Sequence, residues 1–232
     1  MKVLAIESSG DCCSVALSID GSTTQRQADT QGQQHSRLLL PMQAQVLSEA
    51  GLAITELDLI CCAIGPGSFT GVRVATALTQ GLAFAADLPV AGVSTLASMA
   101  YGLRYQTHTG HAEQALVLLD ARMNEVYWAY YNLTTGLPEP IEDAALSKPD
   151  ALPALGLNHC VGLGNGWAAY EQALQPWAEQ CVEMDVKLRP CAAWVAELAA
   201  AQIQVGGLQP QKAEALQPLY VRNQVTHQHK NR

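Results

Sequence analysis

Apolar residues in this chain form short blocks near its start and spaced stripes further on. Val3–Ile6 is a short block closed by Glu7 and reads as a strand. Ser8-Ser9-Gly10-Asp11 is a turn, Cys13–Ser18 a second strand, and Asp20-Gly21 a hairpin signal. Thr23–Thr30 alternates weakly and reads as a third, more exposed strand. From about Ser36 to Ala50 the period changes: Leu39, Met42, Val46 and Ala50 share one helical face. Pro41 lies in the first turns, so this helix starts there or bends, and Gly51 ends it. Leu57–Ile64 is nearly continuous in apolar residues after Asp58, as suits a strand covered on both sheet faces. A glycine-rich stretch follows, then a helix from about Gly71 to Ala86. After it come a short strand, Pro89–Val93, and a helix capped by Ser94 that carries Leu96, Met99, Ala100 and Leu103.

Residues 104–114 are polar, and then the pattern restarts. Ala115–Asp120 is an apolar strand ending in an acid, Arg122-Met123-Asn124 a turn, Glu125–Leu133 an aromatic strand, and Thr134-Thr135-Gly136 another turn. Strand, acid, turn, strand, turn thus occurs twice, with Glu7 and Asp120 in matching positions, as in a duplicated unit. The expected division is residues 1–106 and 107–232. Further on, Gly162–Gly166 precedes a helix bearing Trp167, Tyr170 and Leu174. An Ala-rich helix runs from Pro190, placed at its first position, to Val205 and is closed by Gly206-Gly207. A polar tail begins near Asn223.

With 232 residues and 49% hydrophobic content, the chain can bury a sizeable core. Its formal charge of -8 favours no direct contact with nucleic acid; any such contact would need a partner or a local patch to supply the cations. Glu7 interrupts the first apolar run too early for a signal peptide, and Asp87, Pro89 and glycines break the apolar region around 81–100, so it is no membrane span. The seven cysteines include the adjacent pairs Cys12-Cys13 and Cys61-Cys62, which cannot easily bridge within a pair, and show no zinc spacing. They read as reduced, buried small hydrophobes of a cytoplasmic protein.

The stretch Gly65-Pro66-Gly67-Ser68-Phe69-Thr70-Gly71 follows a buried strand and opens a helix, where backbone amides and the helix dipole favour an anion. Its spacing is one residue longer than the dinucleotide fingerprint, it lacks the Gly-Lys-Ser/Thr of a P-loop, and Arg73 is the only cation in reach. The plainer reading is a tight strand-to-helix turn capped by Thr70. Glu7, Ser8 and Ser9 form a second candidate: an acid at a strand end that positions a metal, beside turn amides that hold phosphate. In the matching second turn, Arg122 stands where a glycine would be needed for phosphate to approach. No histidine pair has helical ligand spacing, and Ser8, Ser9 and Ser68 have no evident His/Asp partners, so neither a metal nor a hydrolase triad is expected. From Val74 to Ala86 there is no charged residue at all; Val74, Leu78, Leu82 and Ala85 make one apolar face. A helix without a charged side is covered on most sides, either by its own domain or by a partner.

Together these stretches resemble the TsaB (YeaZ) family of bacterial tRNA threonylcarbamoyladenosine biosynthesis. The matching segments are LAIESS at 4–9, HSRLLLPM at 35–42, GPGSFTGVRV at 65–74, VSTLASMA at 93–100, DARMNEVYWAYY at 120–131 and PLYVR at 218–222. The resemblance implies an α/β, two-lobed ASKHA fold, shared with actin, heat-shock ATPases and sugar kinases, built from duplicated β-β-β-α-β-α units. It also implies a non-catalytic paralogue of TsaD. TsaD is the subunit that transfers threonylcarbamoyl to the adenosine beside the anticodon of tRNAs reading codons that start with A; TsaE is the ATPase that works with it. TsaD-like proteins hold their metal with two histidines four residues apart, and here Thr95 and Met99 occupy those positions. The implied partner interface is Leu39, Met42 and Val46 with Val74, Leu78 and Leu82, used for TsaD and, without it, for a homodimer. No cofactor is expected beyond ADP or ATP at a subunit interface, and tRNA is reached only through the complex. The competing reading is a metal-dependent peptidase or phosphotransferase of the same superfamily. A third is a nucleotide-gated module using Glu7 and the first turn.

Overall fold

The computed structural model describes residues 1–29, 34–105 and 112–222. Most of the polar linker, with His108 and His111, and the tail from Asn223, with His227 and His229, lie outside the described residues.

The first half builds β1 (Lys2–Glu7), β2 (Cys12–Ile19), β3 (Ser22–Asp29), α1 (His35–Glu49), β4 (Leu59–Gly65), α2 (Phe69–Ala86), β5 (Val90–Ser94) and α3 (Thr95–Gly102). The second half builds β6 (Gln114–Asp120), β7 (Val126–Asn132), β8 (Glu139–Ser147), β9 (Cys160–Leu163), α4 (Gly166–Ala169), α5 (Glu171–Ala178), β10 (Cys181–Asp185) and α6 (Ala192–Gln204). Each half contributes one five-stranded sheet, ordered β3-β2-β1-β4-β5 and β8-β7-β6-β9-β10. The first three strands of each sheet are antiparallel and the rest join in parallel, so the two sheets have one topology. This repeat was visible in the sequence as two matching hairpins.

The helices repeat less faithfully. Between β3 and β4 the chain forms α1; between β8 and β9 it forms only a short 3-10 turn, Pro149–Ala151, and an extended segment. Pro149, Pro153 and Gly156 explain the loss, because prolines and glycine spaced this closely leave no room for a helix. Pro190 also departs from expectation: α6 starts at Ala192 with Cys191 as its cap, and Pro190 precedes the cap.

Strand alternation sorts the core into layers. Leu4 and Ile6 of β1 face α1 and α2; Val3 and Ala5 face α3 and α6. That middle layer also receives Val117 and Leu119 of β6 and Val161 and Leu163 of β9, whereas Leu116 and Leu118 turn to α4 and α5. The result is helix, sheet, helix, sheet, helix, with α3 and α6 between the sheets. Although α6 belongs to the second half of the chain, its first turn is tied to the first: Ala192 N donates to Ser14 Oγ at 2.9 Å and Ala193 N to Gln25 Oε1 at 2.9 Å. The adjacent cysteine pairs split between layers, Cys61 into one and Cys62 into another, so they cannot bridge.

Candidate functional site

The glycine loop lies directly on the end of β1. Ser68 N donates to Ser9 O at 2.6 Å, and Ser8 Oγ donates to Gly71 O at 2.8 Å. Helix α2 starts at Phe69, and its cap is Ser68, whose Oγ accepts from Gly71 N at 3.3 Å. The expected cap, Thr70, is instead an exposed first-turn residue. A Cβ at Gly67 would sit 2.5 Å from Ser9 O, and one at Gly71 1.7 Å from Ser8 O. These glycines are required by the chain's own backbone, which approaches as closely as a ligand would. Arg73 is engaged too: Nη1 donates to Phe69 O at 3.0 Å, and the guanidinium stacks 3.2 Å from the Phe69 ring centre and 4.7 Å from that of Tyr220. Two of the loop amides and Arg73 therefore already have partners. Gly65 takes a positive φ of 107° at the strand end, which the tight reversal into the loop requires.

Glu7 lies beneath this loop, 1% exposed. Its Oε1 accepts from Ser9 N and, at 2.6 Å, from Ser9 Oγ; its Oε2 has no partner. Thr95 Oγ1 donates to Ser9 Oγ at 3.2 Å, extending the chain of hydroxyls to α3. Burial pushes the Glu7 carboxyl up from 4.5 to about 7, and the bonds from Ser9 offset only part of that. Between those values the folded state holds a proton that the unfolded chain has released, so the contribution of Glu7 to stability is fully present below about pH 4.5 and is lost as pH rises through about 7. The window is worth roughly 3 kcal/mol. Urea midpoints should drop between pH 5 and pH 8 in the natural chain and drop much less in Glu7→Gln. Equal drops in both would show that Glu7 is not the titrating group.

Between the lobes, β1, the glycine loop and the β6–β7 turn enclose a cleft of about 490 Å³. On its second-lobe wall Asp120 is fully engaged. It accepts from Arg122 N at 2.8 Å and Tyr170 Oη at 2.9 Å, and pairs with the Arg122 guanidinium at 3.0 Å. Arg122, Met123 and Asn124 all take positive φ, which folds the turn back on the acid. The two acids in matching positions thus differ: Glu7 is buried under the loop with one oxygen bonded to Ser9, and Asp120 is paired with an arginine. Thr95 is hydrogen-bonded to Ser9, and Met99 lies fully in the core. Among the described residues no group of three or more His, Cys, Asp and Glu side chains is placed to hold a metal, and no helix is long and apolar enough to cross a membrane. The 218–222 segment straps the cleft. Leu219 N donates to Ile64 O at 2.8 Å on the first lobe, while Arg222 pairs with Glu125 at 2.6 Å and donates to Ala121 O at 3.0 Å on the second.

The outer helices correct the expected interface. Leu39 and Val46 are wholly buried against the first sheet, and Met42, Val74, Leu78 and Leu82 are half-buried against the same core. The regular apolar stripes face inward because that is the face each helix needs for its own sheet. What the free chain exposes is the opposite side. Phe84 is 81% exposed, with Ala77, Gly81 and Ala85 around it on α2, and Leu40 is 52% exposed, with Pro41 and Ala44 beside it on α1. The exposed side carries Ala77, Gly81 and Phe84 at spacings of four and three with no charge among them, a pattern also present in the sequence.

The model of the family TsaD, tRNA N6-adenosine threonylcarbamoyltransferase, matches residues 22–205. The chain is 36% identical to the tRNA threonylcarbamoyladenosine biosynthesis protein TsaB of Haemophilus influenzae, covering 97% of this chain and 95% of that protein. Its identity to the TsaB of Escherichia coli is 33%, over 97% and 96%. The chain belongs to the TsaB family. Among solved structures, YeaZ from Pseudomonas aeruginosa superposes with a TM-score of 0.83 at 33% identity, over 94% of this chain and all of that one. The duplicated sheets are therefore those of a two-lobed ASKHA protein, as the sequence motifs implied.

Proposed function

We propose that this chain is a non-catalytic subunit of the machinery that places threonylcarbamoyl on the adenosine beside the anticodon in tRNAs reading codons that start with A. Its task is to bind the catalytic paralogue TsaD, with the ATPase TsaE joining the pair. The observation that carries this reading is the uncharged outer face of α2, with Phe84, Ala77 and Gly81 open to solvent beside Leu40 of α1. An apolar face on two neighbouring helices fits an interface, and small residues let a second pair of helices approach closely. Without TsaD the same face brings two copies of the chain together. The pairing of Asp120 with Arg122 supports the non-catalytic assignment. So does the protein's negative charge, which leaves contact with tRNA to its partners. Mixed with purified TsaD, the chain should co-elute as one complex, and a reconstituted modification assay lacking it should lose activity. Full activity without it would refute the proposal.

A further inference from the structure

Two cysteines far apart in the sequence meet in the second sheet. Cys160 opens β9, Cys181 opens β10, and the parallel pairing places them as direct partners across the ladder. Both side chains belong to the layer under α4 and α5, with Cys160 fully buried and Cys181 partly open. The Cys160 thiol donates to Val161 O at 3.7 Å, and Cys181 is its neighbour across the ladder. Neighbouring parallel strands lie about 4.8 Å apart, within the range of Cα separations that a disulfide spans. The other cysteines offer no such pair by chain adjacency, since Cys61 and Cys62 face different layers. β10 is also an edge strand, held on one side only by β9 and irregular just after Cys181, so the backbone there can adjust.

From this geometry we infer that Cys160 and Cys181 form a reversible disulfide: an oxidation site in the second lobe that takes peroxides as its oxidant. Cys181 is the attacking thiol. It is the more open of the two, and the neighbouring Cys160 thiol lowers its pKa from that of an ordinary thiol, while the same contact and burial raise that of Cys160. The Cys181 sulfur attacks one peroxide oxygen, the O–O bond breaks, and water leaves, giving a sulfenic acid. The Cys160 sulfur then displaces the sulfenic oxygen, which departs as a second water with the Cys160 proton. The two sulfurs lose two electrons in all, and these reduce hydrogen peroxide to two waters. The bond would staple the edge strand to its neighbour and close the segment carrying α4 and α5.

The test uses the full chain in its folded, reduced form, treated with hydrogen peroxide and then alkylated in denaturant without reduction. Proteolysis after Glu171 and Glu179 separates Cys160 from Cys181 unless a disulfide joins them. The expected result is a joined peptide, lighter by two hydrogens than the sum of the two free thiol peptides. It should fall apart with dithiothreitol and be absent in Cys181→Ser, a substitution at a partly open edge position. Recovery of the two peptides separately, both alkylated or with Cys181 trapped as sulfinic acid, would overturn the inference. So would formation of the joined peptide only when the chain is oxidised in denaturant.

Discussion

Replacing Gly71 by alanine should destabilise the protein by about 3 kcal/mol or more, the range of severe steric conflicts in a packed interior. The new Cβ would lie 1.7 Å from Ser8 O, a backbone atom that no rotamer change can move. Relief requires separating α2 from the end of β1, which breaks the bond from Ser8 Oγ to Gly71 O and the one from Ser68 N to Ser9 O. Gly81→Ala is the matched control. It lies in the same helix with nothing within 4 Å of the added carbon, and it should be neutral or stabilise by up to about 1 kcal/mol through helix propensity. Urea unfolding of the two variants checks the contrast. A Gly71→Ala midpoint equal to that of the natural chain would mean that the loop is not clamped to β1.

The second large effect concerns the outer face of α2. Gly81→Arg should leave the isolated fold intact, because the added side chain meets open solvent. In a complex it would bury an unpaired guanidinium in an apolar helix contact, and affinity for TsaD should fall on the order of a hundredfold or more. Phe84→Asp should act similarly by removing the largest exposed ring and placing a charge there. Charges at Val74 or Leu78 are poorer probes, since both side chains pack on the first lobe's core and would perturb folding as well as binding. Circular dichroism should therefore match the natural chain for Gly81→Arg, while threonylcarbamoylation in the reconstituted assay should be lost.

The sheets were legible because their strands carry the simplest signal, short apolar blocks separated by turn residues. The Asp20-Gly21 hairpin forms as expected, with both residues at positive φ. Ser94 caps α3 as expected. Strands β8, β9 and β10 carry no such signal: β8 and β10 are edges of mixed polarity, and β9 is four residues long with Gly162 within it. The candidate site was harder to read for a different reason. A glycine in a loop looks the same whether a phosphate or the protein's own backbone approaches it, and only the position of Ser8 and Ser9 decides. Leu39, Val46, Val74, Leu78 and Leu82 were legible as stripes because periodicity reports the side of a helix that packs on its own sheet. The exposed side of α2, made of alanine, glycine and one phenylalanine, has no strong period of its own.

Amide hydrogen exchange of this chain with and without TsaD locates the partner face. Strong new protection is expected along the outer surfaces of α1 and α2, around residues 37–45 and 77–86, with little change at the interlobe strap, residues 218–222. Protection centred on the cleft and the strap, with the two outer helices unchanged, would contradict that assignment.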